Sequence, residues 1–196
     1  MISFGYKLTK NQSIGYKISL VNPFPPSYNV HTFCKPFITN DMRIEEKITK
    51  ILSNQKKTLA IAESCTGGLM ANRLTNISGS SAFFWLGIIA YDNQAKVKLL
   101  KIPPLTIKKY GAVSFPVVKL MAKNVQKILN TDLGISITGI AGPSGGTKDK
   151  PVGLVFIAVA NQQKVLSRQF YFKGSRLSIK DQAAQKALEM LLCALS

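Results

Sequence analysis

From Met42 onward the apolar positions switch between a helical and an extended spacing, and the order of the switches predicts an α/β chain. Ile44, Ile48, Ile51 and Leu52 fall on one helical face. Thr58 to Glu63 is a short apolar run that reads as a buried strand, followed by a helix within Gly67 to Asn76 and a loop at Ser78 to Ser81. Phe83 to Tyr91, rich in Phe, Trp and Ile, predicts a central strand. Asp92 and Asn93 cap a short helix running to Leu100, which Pro103 and Pro104 stop. Ser114, with Pro116 in the first turn, opens a helix whose apolar face holds Val117, Leu120, Met121, Val125 and Ile128. A strand at Leu133 to Ile137 leads into the glycine-rich segment Thr138 to Gly146. Gly153 to Ala160 and Val165 to Phe172, joined at Asn161 to Gln163, predict an antiparallel hairpin. The last helix follows Gly174 and Ser175, with Leu177, Ala184, Leu188 and Leu191 on one side. Together these elements predict a mixed sheet between helical layers, without internal repeats.

Residues Met1 to Asp41 show neither period. They are basic, carry the proline-rich run Asn22 to Pro26 and lack the apolar core of a secretory signal. The expectation is a loosely attached or unfolded leader, with Met42 as a second start and 42–196 as the folded domain. With 46% hydrophobic residues the 196-residue chain can build one sizeable core. No apolar run approaches the ~20 residues of a membrane span. Cys34, Cys65 and Cys193 have neither paired nor metal-type spacing, which fits a reducing cytoplasm. The 26 Lys and Arg against 9 Asp and Glu give a net charge of +17, an attraction for nucleic acid, anionic membrane or phosphorylated small molecules. Without a basic stripe or a nucleic-acid motif, a nucleic-acid accessory protein is the weaker reading, alongside a catalytically silent oligomerising domain.

The chemistry follows by elimination. The one histidine, His31, lies in the leader, so a Ser-His-Asp or Cys-His arrangement is excluded from the folded part. The acids are scattered and no Cys or His cluster joins them, so neither a metal site nor a cofactor is expected. What remains is a serine activated by lysine or tyrosine, in which desolvation or a neighbouring cation must depress the lysine pKa before it can take a proton. Ser64 occupies a strand-to-helix turn with Thr66, Gly67 and Gly68, whose backbone amides are placed to hold an oxyanion. Tyr91, at a strand end, and Lys96, in the first turns of the next helix, best fit the activating roles. The second glycine-rich segment matches neither a P-loop nor a dinucleotide fingerprint.

Ala62-Glu-Ser-Cys-Thr-Gly-Gly68, Tyr91-Asp-Asn-Gln-Ala-Lys96, Gly111-Ala-Val-Ser114, Thr138-Gly-Ile-Ala-Gly-Pro143, Lys150-Pro-Val-Gly153 and Phe172-Lys-Gly-Ser-Arg176 occur in the order seen in the CinA carboxy-terminal domain family, which the chain resembles from about Met42 onward. The resemblance implies a three-layer α/β/α domain and an amidohydrolase that converts nicotinamide mononucleotide to nicotinic acid mononucleotide and ammonia. It implies Ser64 as nucleophile with Tyr91 and Lys96 as partners. Thr138, Gly139, Gly142 and Arg176 are the expected contacts for the phosphate and ribose end. A phosphorylated nucleotide is the expected small-molecule partner, and a homo-oligomer the expected assembly. Two positions depart from the family pattern: Phe115 stands where Glu is usual, and Asp92-Asn93 where Ser-Asn is usual.

Overall fold

The computed structural model describes residues 42–195; the expected leader, with His31 and Cys34, lies outside the described residues. The elements are α1 (Ile44–Gln55), β1 (Leu59–Glu63), α2 (Leu69–Thr75), a 3-10 turn at Ser80–Ala82, β2 (Phe84–Ile89), α3 (Asn93–Lys98), α4 (Pro104–Tyr110), α5 (Phe115–Leu129), β3 (Leu133–Gly139), β4 (Leu154–Ala160), β5 (Val165–Tyr171) and α6 (Arg176–Leu195). The strands form one mixed sheet in the order β2-β1-β3-β4-β5. β1 runs parallel to β2 and β3, and β4 runs antiparallel to β3 and β5.

The two faces of the sheet differ in side-chain size. Leu59 and Ile61 of β1, Ile135 and Ile137 of β3, and Val155 and Ile157 of β4 pack with Ile48 and Leu52 of α1 and Leu188 and Leu191 of α6. On the opposite face β1 offers only Ala60 and Ala62, against Val117, Met121 and Val125 of α5. β3 contributes Gly134 and Ser136 there. A Cβ on Gly134 would stand 2.2 Å from the Ala122 carbonyl oxygen, and the Ser136 hydroxyl donates to the Val118 carbonyl at 2.6 Å. Small residues thus let α5 lie almost on the backbone of the sheet centre. Arg73 of α2 ties the other helical layer together, donating to Glu45 of α1 at 2.7 Å and to Gln185 of α6 at 2.6 Å. Among the described residues no helix is long and apolar enough to cross a membrane.

Three expectations are corrected. The apolar run Phe83 to Tyr91 yields an edge strand, not a central one: Trp85 and Ile89 of β2 are exposed, while β1 and β4 are buried throughout. An apolar run alone does not tell a doubly covered strand from one whose outer face is left bare. Pro103 and Pro104 do more than stop a helix. They start α4, in which Pro104 takes the first helical position, where a missing N–H costs nothing. In α6, Leu177 is exposed, and the buried face is set by Ile179, Ala183, Ala187 and their neighbours.

Candidate active site

Ser64 stands one residue past β1, at the carboxyl edge shared by the three parallel strands. The ladder continues on both sides of it: Ser64 N–H donates to the Ile137 carbonyl at 3.0 Å, and Ala90 N–H donates to the Glu63 carbonyl at 2.8 Å. β2 and β3 lie on opposite sides of β1, so the chain's strand order diverges here, the kind of point at which α/β sheets form ligand crevices. Gly67 (φ +62) and Gly68 (φ +94) turn the chain into α2 through left-handed backbone that only glycine adopts without strain.

This turn is fastened by Glu63, a carboxylate only 2% exposed. Its Oε2 accepts from Gly68 N–H at 3.0 Å and Met70 N–H at 3.3 Å, and its Oε1 from Ala71 N–H at 2.8 Å. Gly67 N–H donates to the Ser64 carbonyl at 3.1 Å. The expected oxyanion donors at Gly67 and Gly68 are therefore already engaged, because the protein's own carboxylate and carbonyl fill the start of α2. The amides of Cys65 and Thr66 donate to no carbonyl or carboxylate among the described residues. Glu63 had no role in the sequence reading. The signal was present, an acid five to eight residues before the amides of a helix start.

Lys96, on α3, is 2% exposed and points back to the edge of β1. Its Nζ lies 3.1 Å from Ser64 Oγ, 2.8 Å from the Ala90 carbonyl oxygen and 3.1 Å from that of Tyr91. A neutral amine has two N–H donors and one lone pair. The two carbonyls can take both donors, which leaves the lone pair facing the serine hydroxyl. Burial lowers the Lys96 pKa from its ordinary value, and the Asp92 charge and the Cys65 group oppose that shift. Cys65 is different: burial pushes its thiol up to about 12, so at neutral pH it is protonated and a poor nucleophile.

Tyr91 is placed otherwise than expected. Its side chain is 57% exposed, and its hydroxyl accepts from Arg176 at 2.6 Å; its main-chain carbonyl is what reaches Lys96. Arg176 also donates to the Gly142 carbonyl at 2.6 Å, so it spans the gap between the end of β2 and the loop after β3. A cavity of about 240 Å³ opens beneath this span. Of the expected residues, Ser64, Tyr91, Gly139, Gly142 and Arg176 line it. Cys65, Ile140, Ala141, Ser144 and Gly145 line it too; the last four belong to the glycine-rich segment that the sequence had marked as a loop. Lys96, Thr66, Gly67, Gly68 and Thr138 do not line it. Thr138 is buried and its hydroxyl donates to the Ala112 carbonyl at 3.1 Å, binding β3 to the chain before α5. Phe115 packs edge-on against Phe156 with ring centroids 4.7 Å apart and is not part of the cavity wall.

The fold has known relatives. The chain is 47% identical over 156 residues to a CinA-like protein of Syntrophus aciditrophicus, covering 79% of this chain and 37% of that protein. A CinA-like protein of Koribacter versatilis is 47% identical over 155 residues, again with 37% of its length covered. The chain thus spans little more than a third of these relatives. Solved structures match over nearly their whole length. The competence/damage inducible protein CihA of Agrobacterium tumefaciens superposes with a TM-score of 0.74 at 36% identity, covering 83% of this chain and 99% of that one. A competence or damage-inducible protein of Enterobacter asburiae gives 0.75 at 31% identity, with 78% and 96% covered. The family described as CinA C-terminal domain matches residues 41–195. The chain belongs to the CinA C-terminal domain family.

Proposed function

We propose that the protein is an amidohydrolase that releases ammonia from nicotinamide mononucleotide through an acyl-enzyme on Ser64. The observation that carries this reading is the contact of 3.1 Å between Lys96 Nζ and Ser64 Oγ, with the amine buried and its other two neighbours both carbonyls. In this mechanism the neutral Lys96 takes the Ser64 proton as the oxygen attacks the carboxamide carbon. The protonated lysine then donates to the departing nitrogen, the C–N bond breaks and ammonia leaves. Water, deprotonated by the same amine, attacks the ester carbonyl; as the bond to Ser64 Oγ breaks, the ammonium returns its proton to that oxygen and the carboxylic acid leaves, ionising in solvent. Cys65 N–H, directly after the nucleophile, is the backbone donor closest in sequence for the developing oxyanion; such a donor is worth about 3 kcal/mol. Arg176 closes the cavity from above.

The mononucleotide is favoured by the combination of an uncharged reactive amide with a remote phosphate, which suits a basic chain with cations at the cavity rim. Ammonia release from the mononucleotide, the riboside, free nicotinamide and glutamine tests it. Turnover is expected with the mononucleotide, with kcat/KM at least about tenfold lower for the riboside, because remote binding positions the amide. No release from the mononucleotide by folded protein ends this reading.

A further inference from the structure

α6 begins at the cavity mouth and carries two cations four residues apart, Arg176 and Lys180, which share a helix face. The Arg176 guanidinium is held by the Gly142 carbonyl and the Tyr91 hydroxyl. Lys180 is half-buried, and among the described residues it makes no hydrogen bond or ion pair. Its ammonium lies over the nucleophile turn, 3.6 Å from where a Cβ on Gly67 would stand. Its charge is felt by the Cys65 thiol in the cavity wall. The acids nearby are otherwise engaged: Glu63 is bonded to three amides, and Asp181 lies 3.9 Å from Arg73. In the same turn, the buried Thr66 hydroxyl has no partner either. A half-buried ammonium without a counter-charge, facing bare glycine backbone, is open to pairing with a ligand's negative group.

We infer that Lys180 recognises the substrate's anionic group, a phosphate monoester paired with its ammonium beside the side-chain-free Gly67 turn. This rests on the mononucleotide reading for its catalytic consequence, though not for the anion site itself. The cavity of about 240 Å³ is smaller than the ~300 Å³ or more that commonly encloses a whole small-molecule ligand. The amide-bearing ring enters, and the phosphoryl end is left at the mouth, on the α6 side. The missing side chain at Gly67 keeps that approach open.

Two measurements on the full chain test this. Calorimetric titration with inorganic phosphate should show binding by wild type that Lys180→Gln weakens about tenfold or more, with Lys180→Arg close to wild type. In turnover, Lys180→Gln should lower kcat/KM about tenfold to a hundredfold for the mononucleotide and less than about threefold for the riboside, at unchanged Tm. Equal phosphate affinity in Lys180→Gln, or equal losses on both substrates, overturns the assignment. Phosphate binding lost in Lys180→Gln while wild type hydrolyses no mononucleotide would keep the anion site and discard the amidase reading.

Discussion

Two hydrogen-bonded pairs stand at the cavity, and their surroundings differ. Ser64 and Lys96 meet at 7% and 2% exposure, with the amine enclosed by two carbonyls. Tyr91 and Arg176 meet in the open, at the rim. A proton acceptor made from lysine is helped by burial, since desolvation favours the neutral amine, and burial is the largest cause of the lowered Lys96 pKa. A rim contact needs the reverse. Tyrosine and arginine in solvent can part and close again at small cost, which suits admitting and covering a ligand. The same stretch, Tyr91 to Lys96, supplies one member of each pair. The Tyr91 carbonyl faces inward to the base while its ring faces outward to the rim, so the end of β2 couples chemistry to access.

The largest expected effect comes from breaking the buried pair. Ser64→Ala and Lys96→Met should each lower kcat by about 10³ or more while the protein still binds the mononucleotide. Lys96→Arg should not restore it, because a guanidinium stays protonated. Cys65→Ala should stay within about threefold of wild type, since a thiol raised to about 12 takes no part in the attack. Steady-state ammonia release checks all four. An active Lys96→Arg enzyme would remove the lysine-base mechanism and with it the contrast between the pairs.

Breaking the exposed pair should cost less and in a different parameter. Tyr91→Phe removes the hydroxyl acceptor for Arg176 and keeps both the ring and the carbonyl to Lys96. The expected result is a loss of about three- to thirtyfold in kcat/KM, carried mainly by KM, with the pH profile unmoved. A loss confined to kcat, or a displaced pH limb, would place the hydroxyl in the proton transfer, the role that the sequence alone suggests for Tyr91.

The difference between the pairs also marks how much was legible in the sequence. Ser64 and Lys96 are legible by excluding other chemistry: with the one histidine in the expected leader and the acids scattered, few nucleophile and base combinations remain. The alternation of periods predicts every helix but α4, the strands and the β4–β5 hairpin. What periodicity does not contain is which strand lies at the edge, and β2 was misplaced for that reason. Nor does it say where a hydroxyl or amide is already engaged. Thr138 has the composition of a ligand-binding residue, yet its hydroxyl meets the Ala112 carbonyl, a residue 26 positions away. Gly67 and Gly68 have the composition of an oxyanion loop, and Glu63 and the Ser64 carbonyl occupy their amides. Only three-dimensional proximity decides such cases.

The smallest effect concerns Asp92, one of the two departures from the family pattern. Its Oδ1 accepts from Gln94 N–H at 2.7 Å and so caps α3, the helix that carries Lys96. Its negative charge also favours the protonated lysine, opposing the larger effect of burial. Asp92→Ser keeps a capping oxygen and removes the charge. The Lys96 pKa, already below the usual ~10.4, should then fall further. A base with a lower pKa is neutral at lower pH, so the rising limb of kcat/KM should move toward acid, while the plateau stays level or drops slightly with the weaker base. Stability shifts in a linked way. Between the folded and unfolded pKa of Lys96 the unfolded chain binds more protons, so stability rises with pH in that window, and Asp92→Ser extends the window to lower pH. Parallel pH–rate and pH–Tm series on both proteins read these shifts. A limb that moves toward alkali in Asp92→Ser would show that the limb does not report Lys96, and the buried pair would lose its claim to the proton transfer.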